Sequence, residues 1–127
     1  SGHIFFRDKW PGFDDGIYGC LRYVEILSKT DKKFSELLDG ITRYYSTPEL
    51  KIKSTDEEKF NVVEKVKEYA ISKGYKMNTI DGARVEFEDG WALVRASNTG
   101  PDLTMRFEGI TEKRMNEIKD EFMELIK

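Results

Sequence analysis

Two Asp-Gly dipeptides constrain the fold of this chain more than any other feature. Asp81-Gly82 and Asp89-Gly90 flank a segment in which Val85 and Phe87 alternate with charged residues. An Asp-Gly pair between alternating segments is typical of the tight turn of a β-hairpin, because the central residues of that turn adopt positive φ angles. The pattern therefore predicts consecutive strands joined by hairpins, and consequently an antiparallel sheet.

The residues on either side of these hairpins complete the pattern of one α+β domain. Residues 49–54 and 103–108 alternate between apolar and polar side chains, as strands do. Apolar residues recur at helical spacing from residue 55 to about residue 73, and again from about residue 111. From about residue 48 the predicted order is β-α-β-β-β-α, with both helices on one face of an antiparallel sheet.

The first 45 residues have a different pattern, and we expect them to be the end of another domain. They contain a short apolar run at 4–6 and two helical patterns, the longer of which begins after Asp14 or Asp15. Thr47-Pro48 disfavours helix and marks a linker. The expected division is a mainly helical segment, residues 1–45, and an α+β domain, residues 46–127.

Charge and cysteine content narrow the classes of function. The 127 residues carry a formal net charge of −3, whereas general nucleic-acid binders are more often basic, so no nucleic-acid partner is expected. Cys20 is the only cysteine, which excludes an intramolecular disulfide and favours a cytoplasmic protein. The sequence contains no apolar run of about 18 residues, so we expect no membrane span, and we expect no signal peptide. The chain begins Ser1-Gly2-His3 without a methionine, from which we expect a cut or tagged chain.

Residues 95–101, RASNTGP, connect two predicted strands and form the best candidate for a binding site. Ser97 and Thr99 offer hydroxyl groups, Asn98 offers an amide, and the backbone N–H groups of a tight turn can converge on an anion. Arg95 adds a planar guanidinium suited to phosphate. The same residue types are common in ordinary turns. Residue chemistry alone therefore leaves both an anion site and a plain surface turn open.

Four segments of the chain, taken in order, resemble one known family. They are SGHIFF (1–6), GFDDGIYGCLRYVEILSK (12–29), TPEL (47–50) and TIDGARVEFEDGWALVRASNTGPDLTMRFEG (79–109). Together they closely resemble the C-terminal quarter of the α-D-phosphohexomutases, the phosphomannomutase/phosphoglucomutase enzymes. The resemblance covers essentially the whole chain, and its most specific parts are DGxRVxFxDGWxLVRxSNTxP and the MRFEG that follows.

The resemblance implies both a fold and a reaction. Residues 1–45 would be the remnant of the α/β domain 3, and residues 46–127 would be domain 4, which is similar to the TATA-binding-protein fold. The family moves a phosphate between C1 and C6 of a hexose. An active-site phosphoserine donates its phosphoryl group, a bisphosphorylated sugar turns over in the cleft, and Mg²⁺ assists.

The resemblance also implies roles for individual residues. The phosphate-binding loop of domain 4, which grips the substrate phosphate that is not reacting, is matched by Arg95, Ala96, Ser97, Asn98 and Thr99. The end of the sugar-binding motif Gly-Glu-x-Ser-Gly-His is matched by Ser1, Gly2 and His3, although its glutamate is absent from the chain. A tag remnant is the alternative interpretation of these three residues.

Two parts of the family's machinery have no counterpart in the sequence. There is no Ser-His-Asn-Pro-like phosphoserine segment and no Asp-x-Asp-x-Asp metal loop. The acidic clusters Asp14-Asp15 and Asp56-Glu57-Glu58 lack that spacing, and we interpret them as helix N-terminal caps rather than metal ligands. We therefore expect no catalytic and no metal-binding residue in this chain, which would bind its substrate without catalysing.

The sequence also suggests positions for Arg106 and Trp91. Arg106 either adds positive potential to the loop or pairs with Glu108 or Glu86 across strands. Trp91 is expected in the core.

The expected partners are a phosphosugar and the remaining domains of the parent enzyme. The helices of residues 1–45 would expose apolar faces, which either pack onto the second domain or drive a dimer. Two alternatives to an enzyme segment stay open, namely a stand-alone anion- or macromolecule-binding module and a deletion or proteolytic product. The sequence does not distinguish glucose, mannose and glucosamine phosphates as substrates.

Overall fold

The computed structural model describes residues 3–126 and divides into two compact units, Ser1–Thr42 and Arg43–Lys127. All the buried hydrophobic residues of the described chain lie in the second unit. The first unit therefore lacks a hydrophobic core of its own among the described residues.

The first unit is mainly helical, as expected. Helix α1 spans Gly16–Ser28, and the Asp15 side chain caps it by accepting a hydrogen bond from the Tyr18 backbone N–H at 2.9 Å. The predicted second helix is a short 3₁₀ helix, Phe34–Leu38. The apolar run at 4–6 contributes a single β-bridge, between Phe5 and Asp14.

Helix α1 presents much of its apolar side to solvent. Ile17 is 79% exposed, Leu21 60% and Val24 61%. A helix so rich in exposed apolar side chains is unusual for a self-contained domain, because burial of such a face is what normally stabilises a short helix.

The second unit contains one antiparallel sheet and two helices. In chain order its elements are β1 (Tyr45–Ser46), β2 (Leu50–Lys53), α2 (Glu58–Ser72), β3 (Lys76–Asn78), β4 (Ala83–Phe87), β5 (Gly90–Ala96), β6 (Asp102–Gly109) and α3 (Glu112–Glu124). The strand order is β1-β6-β5-β4-β3, and β2 also pairs with β6. The predicted α+β class with an antiparallel sheet is confirmed.

The structure adds two strands to the predicted order β-α-β-β-β-α. Both are short: β1 has two residues and β3 has three. Pairing across the sheet defines them, since Tyr45 pairs with Gly109 of β6 and Lys76 pairs with Glu86 of β4. Segments this short carry too few alternating positions for a period of two to be recognised.

The hairpins are present, but their turns differ from the predicted ones. Phe87 pairs with Gly90, so the β4–β5 turn consists of Glu88 and Asp89, and Gly90 is the first residue of β5. Gly90 is required for space, because a Cβ there would collide with the Glu108 carbonyl oxygen and the Ile118 side chain. In the other dipeptide, Gly82 has a φ of +82°, in the left-handed region that favours glycine.

The core lies between one face of the sheet and helices α2 and α3. Alternate residues of β4, β5 and β6 point to these helices, as period two requires, and the helices add residues at helical spacing. The fully buried large side chains are Phe107, Phe122, Leu103, Met105, Ile118, Val66, Val85 and Val94. The other alternate residues form the opposite face of the sheet, called the outer face below.

Candidate functional site

The RASNTGP segment straddles the end of β5 and the connection to β6. Arg95 and Ala96 are the last residues of β5, and residues 97–101, called the 97–101 loop, lead into β6 at Asp102. Ala96 and Leu103 form the last pair of the ladder. A hydrogen bond of 2.8 Å from the Ser97 backbone N–H to the Asp102 carbonyl closes the loop.

Inside the loop, side chains and backbone bond to each other only loosely. The Thr99 N–H donates to Ser97 Oγ at 3.3 Å, and the hydroxyl oxygens of Ser97 and Thr99 are 3.4 Å apart. Within residues 3–126, the backbone N–H groups of Asn98 and Gly100 have no protein acceptor. The loop therefore has donors free to bind an anion.

Arg95 projects from the outer face beside this loop. Its guanidinium is 3.4 Å from the Asp81 carboxylate, which is a long contact for a hydrogen bond, and its side chain is 29% exposed. Gly82, next to Asp81, packs so closely on β5 that a Cβ would lie 2.5 Å from the Arg95 Cβ. The β3–β4 connection thus positions Asp81 to hold the guanidinium weakly, which leaves it able to change partner.

Lys59, in the first turn of α2, contacts the same loop, and the sequence patterns did not single it out. Its Nζ donates to the carbonyl oxygens of Ser97 and Gly100, each at 3.0 Å, and to Asp56 Oδ1 at 2.7 Å. The side chain is only 7% exposed. Its loop partners are 38 and 41 residues further along the chain, so no local pattern could reveal the contact.

The outer face next to Arg95 forms an open groove of about 540 Å³, whose lining includes three arginines and the carboxylates of Glu49 and Asp81. Arg84, Arg95, Thr104 and Arg106 line it from β4, β5 and β6. Arg106 is exposed and makes no ion pair among the described residues, which leaves its charge available to the groove. The predicted alternative, pairing with Glu108 or Glu86, is not observed.

The two glutamates have other partners, and Trp91 lies elsewhere than predicted. Glu108 accepts a hydrogen bond from Trp91 Nε1 at 2.9 Å, and Glu86 lies near Lys76 and Arg84 at 3.5 and 3.6 Å. The Arg84 guanidinium is 4.3 Å from the centre of the Trp91 ring. The placement of Trp91 in the core was wrong: it has the outer-face parity of β5, is half-buried and is not part of the core cluster.

His3 belongs to the first unit, and its Nδ1 contacts the Asp14 carboxylate. Ser1 and Gly2, the other two residues of the predicted sugar-binding motif, lie outside the described residues. The 97–101 loop belongs to the second unit.

Residues 49–125, within the second unit, match a known family model described as phosphoglucomutase/phosphomannomutase, C-terminal domain. The chain belongs to the phosphoglucomutase/phosphomannomutase family. Residues 1–45 match a second model of this family, described as its alpha/beta/alpha domain III. The family expected from the sequence motifs is therefore confirmed.

Individual phosphoglucomutase/phosphomannomutase relatives are similar over nearly the whole chain. A phosphomannomutase/phosphoglucomutase of Pseudomonas putida is 46% identical over 96% of the chain, and a phosphoglucomutase of Neisseria gonorrhoeae is 44% identical over 99%. A solved phosphoglucomutase/phosphomannomutase family protein of Burkholderia thailandensis is similar over 99% of the chain, with 39% identity and a TM-score of 0.84. The chain spans about a quarter of these proteins' length, namely 26%, 28% and 26% respectively.

Membership of the phosphoglucomutase/phosphomannomutase family suggests a metal cofactor, and the acidic residues present do not fit one. Among residues 3–126, no three His, Cys, Asp or Glu side chains come together as a metal site would need. Asp15 caps α1 as predicted, whereas Asp14 faces His3. The predicted capping role of Asp56, Glu57 and Glu58 was wrong, since no side chain of this cluster caps α2. The Thr55 hydroxyl instead accepts from the Glu58 N–H at 3.1 Å, and Asp56 binds Lys59.

The helices of the described part of this family member are also too short or too polar to cross a membrane.

Proposed function

We propose that Arg95, Ala96, Ser97, Asn98 and Thr99 bind the phosphate of a hexose phosphate at the end that is not reacting. The observation that carries this proposal is the pair of free N–H groups, on Asn98 and Gly100, in a loop that begins at Arg95. Hydrogen bonds to charged groups contribute roughly 1.5–3 kcal/mol each. Two backbone donors, two hydroxyl groups and a guanidinium are together sufficient to hold a phosphomonoester in water.

The proposed reaction of the parent enzyme explains why the non-reacting phosphate would be bound. The enzyme interconverts hexose 1-phosphate and hexose 6-phosphate through a phosphoserine and a bisphosphorylated sugar. Binding energy from the idle phosphate positions the reacting end and lowers the entropic part of the barrier. Because the loop contacts only a phosphate, it accepts the intermediate in either orientation.

Other parts of the same enzyme supply the remaining functions in this proposal. The phosphoserine and the Mg²⁺ ligands lie outside the described residues, so this chain alone binds without catalysing. Ser1, Gly2 and His3 form the end of the sugar-binding motif, within a domain-3 segment, residues 1–45. Residues 46–127 form the phosphate-binding domain. The parent enzyme is a cytoplasmic phosphosugar isomerase.

A phosphate titration of the ¹⁵N-labelled chain tests the proposal. Inorganic phosphate at constant ionic strength should move the backbone amide resonances of residues 95–100, and Arg95→Ala should weaken the response about tenfold, the loss of one charge-assisted interaction. Arg43→Ala is the matched control, because residue 43 precedes β1, which pairs with the far end of β6. Shifts confined to residues outside 95–100 would contradict the proposal.

A further inference from the structure

Lys59 is buried in a way that helix α2 does not explain. A cation in the first turn of a helix opposes the helix dipole, which favours negative charge there. Lysine is also rarely buried unless it is paired. Yet Lys59 is 7% exposed, and its three N–H groups have three acceptors, one on Asp56 and two on the 97–101 loop. The loop contacts, rather than the helix, account for its position.

The contact with Ser97 determines which way the peptide group between Ser97 and Asn98 points. No peptide bond among the described residues is cis, and in a trans peptide the C=O and N–H point in opposite directions. Lys59 Nζ holds the Ser97 carbonyl oxygen at 3.0 Å. The N–H of the same peptide, which belongs to Asn98, is consequently turned away from Lys59 and from α2.

At the other end of the loop, Lys59 binds a carbonyl oxygen whose peptide group has no N–H, so no backbone donor is turned in either direction there. Lys59 Nζ binds the Gly100 carbonyl oxygen, which precedes Pro101, a residue that has no N–H. The Pro101 carbonyl in turn accepts from the Ser54 N–H at 2.8 Å. The Lys59 ammonium group and the Ser54 N–H, directly after β2, thus bind carbonyl oxygens of the loop. The free N–H of Asn98 points to the opposite side.

We propose that Lys59 is a positioning residue for phosphate binding: it holds the carbonyls of Ser97 and Gly100 so that the N–H side of the 97–101 loop is preset for the anion. This inference rests on the proposed function of residues 95–99. Lys59 itself does not touch the phosphate. It acts by removing the cost of ordering the loop when the anion binds.

Phosphate titrations of three ¹⁵N-labelled 127-residue chains test the inference. The variants are the wild type, Lys59→Met, and Lys67→Met as the matched control. Lys67 lies on the same helix and pairs with Glu64 three residues earlier at 2.7 Å, as Lys59 does with Asp56, but has no loop contact. Lys59→Met should bind inorganic phosphate at least about tenfold more weakly, and Lys67→Met like the wild type.

Restoring an ammonium group at position 59 distinguishes the effect of the Lys59 charge on the loop from the effect of its side-chain packing. Lys59→Cys in a Cys20→Ser background, alkylated with 2-bromoethylamine while unfolded and then refolded, carries an ammonium at the same reach. It should regain phosphate affinity and wild-type amide shifts at Asn98, whereas alkylation with a neutral reagent of similar length should not. If Lys59→Met does not fold, the comparison of these two alkylated chains decides the question by the same criterion.

The outcomes distinguish this inference from the proposed function. A wild type that responds at residues 95–100 while Lys59→Met binds phosphate equally well overturns the role of Lys59 alone. Equal affinity of the ammonium and neutral alkylated chains does the same. A wild type with no response at residues 95–100 overturns the proposed function and the inference together.

Discussion

At the scale of single residues, Gly82 ties the candidate site to the fold. It combines a φ of +82° with almost no space, because a Cβ would lie 2.5 Å from both the Arg95 Cβ and the Val94 carbonyl oxygen. Any side chain there pays for backbone strain and also pushes against the strand that carries Arg95. Gly74, which ends α2, has a similar φ of +70° but nothing within 4 Å of an added Cβ.

This pair of glycines allows strain and crowding to be measured separately. Gly74→Ala should lower the free energy of unfolding by about 1 kcal/mol, the cost of a left-handed conformation for a residue with a Cβ. Gly82→Ala adds a collision with β5 and should cost at least about 2 kcal/mol, with weaker phosphate binding. Urea denaturation of both variants measures the two losses of unfolding free energy. Equal losses would mean that β5 moves aside for the added Cβ at no free-energy cost.

At the scale of elements, Tyr69 of α2 and Tyr75, which lies between α2 and β3, both bind Glu121 of α3. The hydroxyl groups of Tyr69 and Tyr75 donate to Glu121 Oε1 at 2.9 and 3.1 Å. Partial burial, and then the hydrogen bond to the Glu121 carboxylate, raise the pKa of Tyr69 to about 12 from an ordinary value of 10. The same causes raise the pKa of Tyr75. Both effects disfavour a tyrosinate next to a carboxylate.

The raised pKa predicts a loss of stability in alkali. The unfolded chain releases the Tyr69 proton near pH 10 and the folded chain near pH 12, so this contribution is fully present below pH 10 and is lost as the pH rises to 12. Urea midpoints measured from pH 8 to pH 12 should fall less steeply in Tyr69→Phe than in the wild type. Tyr44→Phe, at an exposed tyrosine, is the control, and identical slopes for the wild type and Tyr69→Phe would refute the assignment.

At the scale of the whole molecule, the two units differ in what stabilises them. The second unit has a continuous core between its sheet and two helices. The first unit exposes Ile17, Leu21 and Val24 of α1. Exposed apolar surface of this kind favours association with another domain or another copy of the chain.

We therefore predict that self-association depends on the first unit. Residues 43–127 should fold alone, with the dispersed amide spectrum of a packed core, and should sediment as a monomer. The full 127-residue chain should show a sedimentation coefficient that rises with concentration. A full chain that stays monomeric at all concentrations would contradict this prediction, as would a collapsed spectrum for residues 43–127.

The site was only partly accessible to sequence reasoning. Arg95 and the 97–101 loop could be found, because a polar segment ending in Gly-Pro between two alternating runs must connect strands. Lys59 could not, because its position in a helix start says nothing about a loop 38 residues away. Trp91 was misplaced for a related reason: alternation shows that residues share a face, but which face the helices cover depends on the whole sheet.

The amino-acid sequence by itself determined the α+β class, the antiparallel pairing, the helix positions and the family, because periodicity, turn residues and motifs are local along the chain. Tertiary structure alone decided the strands β1 and β3, the turn at Glu88-Asp89, the outer position of Trp91 and the hold of Lys59 on Ser97 and Gly100. Each of these depends on a partner distant in the sequence, and the free energy of such a contact exists only once the sheet and α2 have packed together.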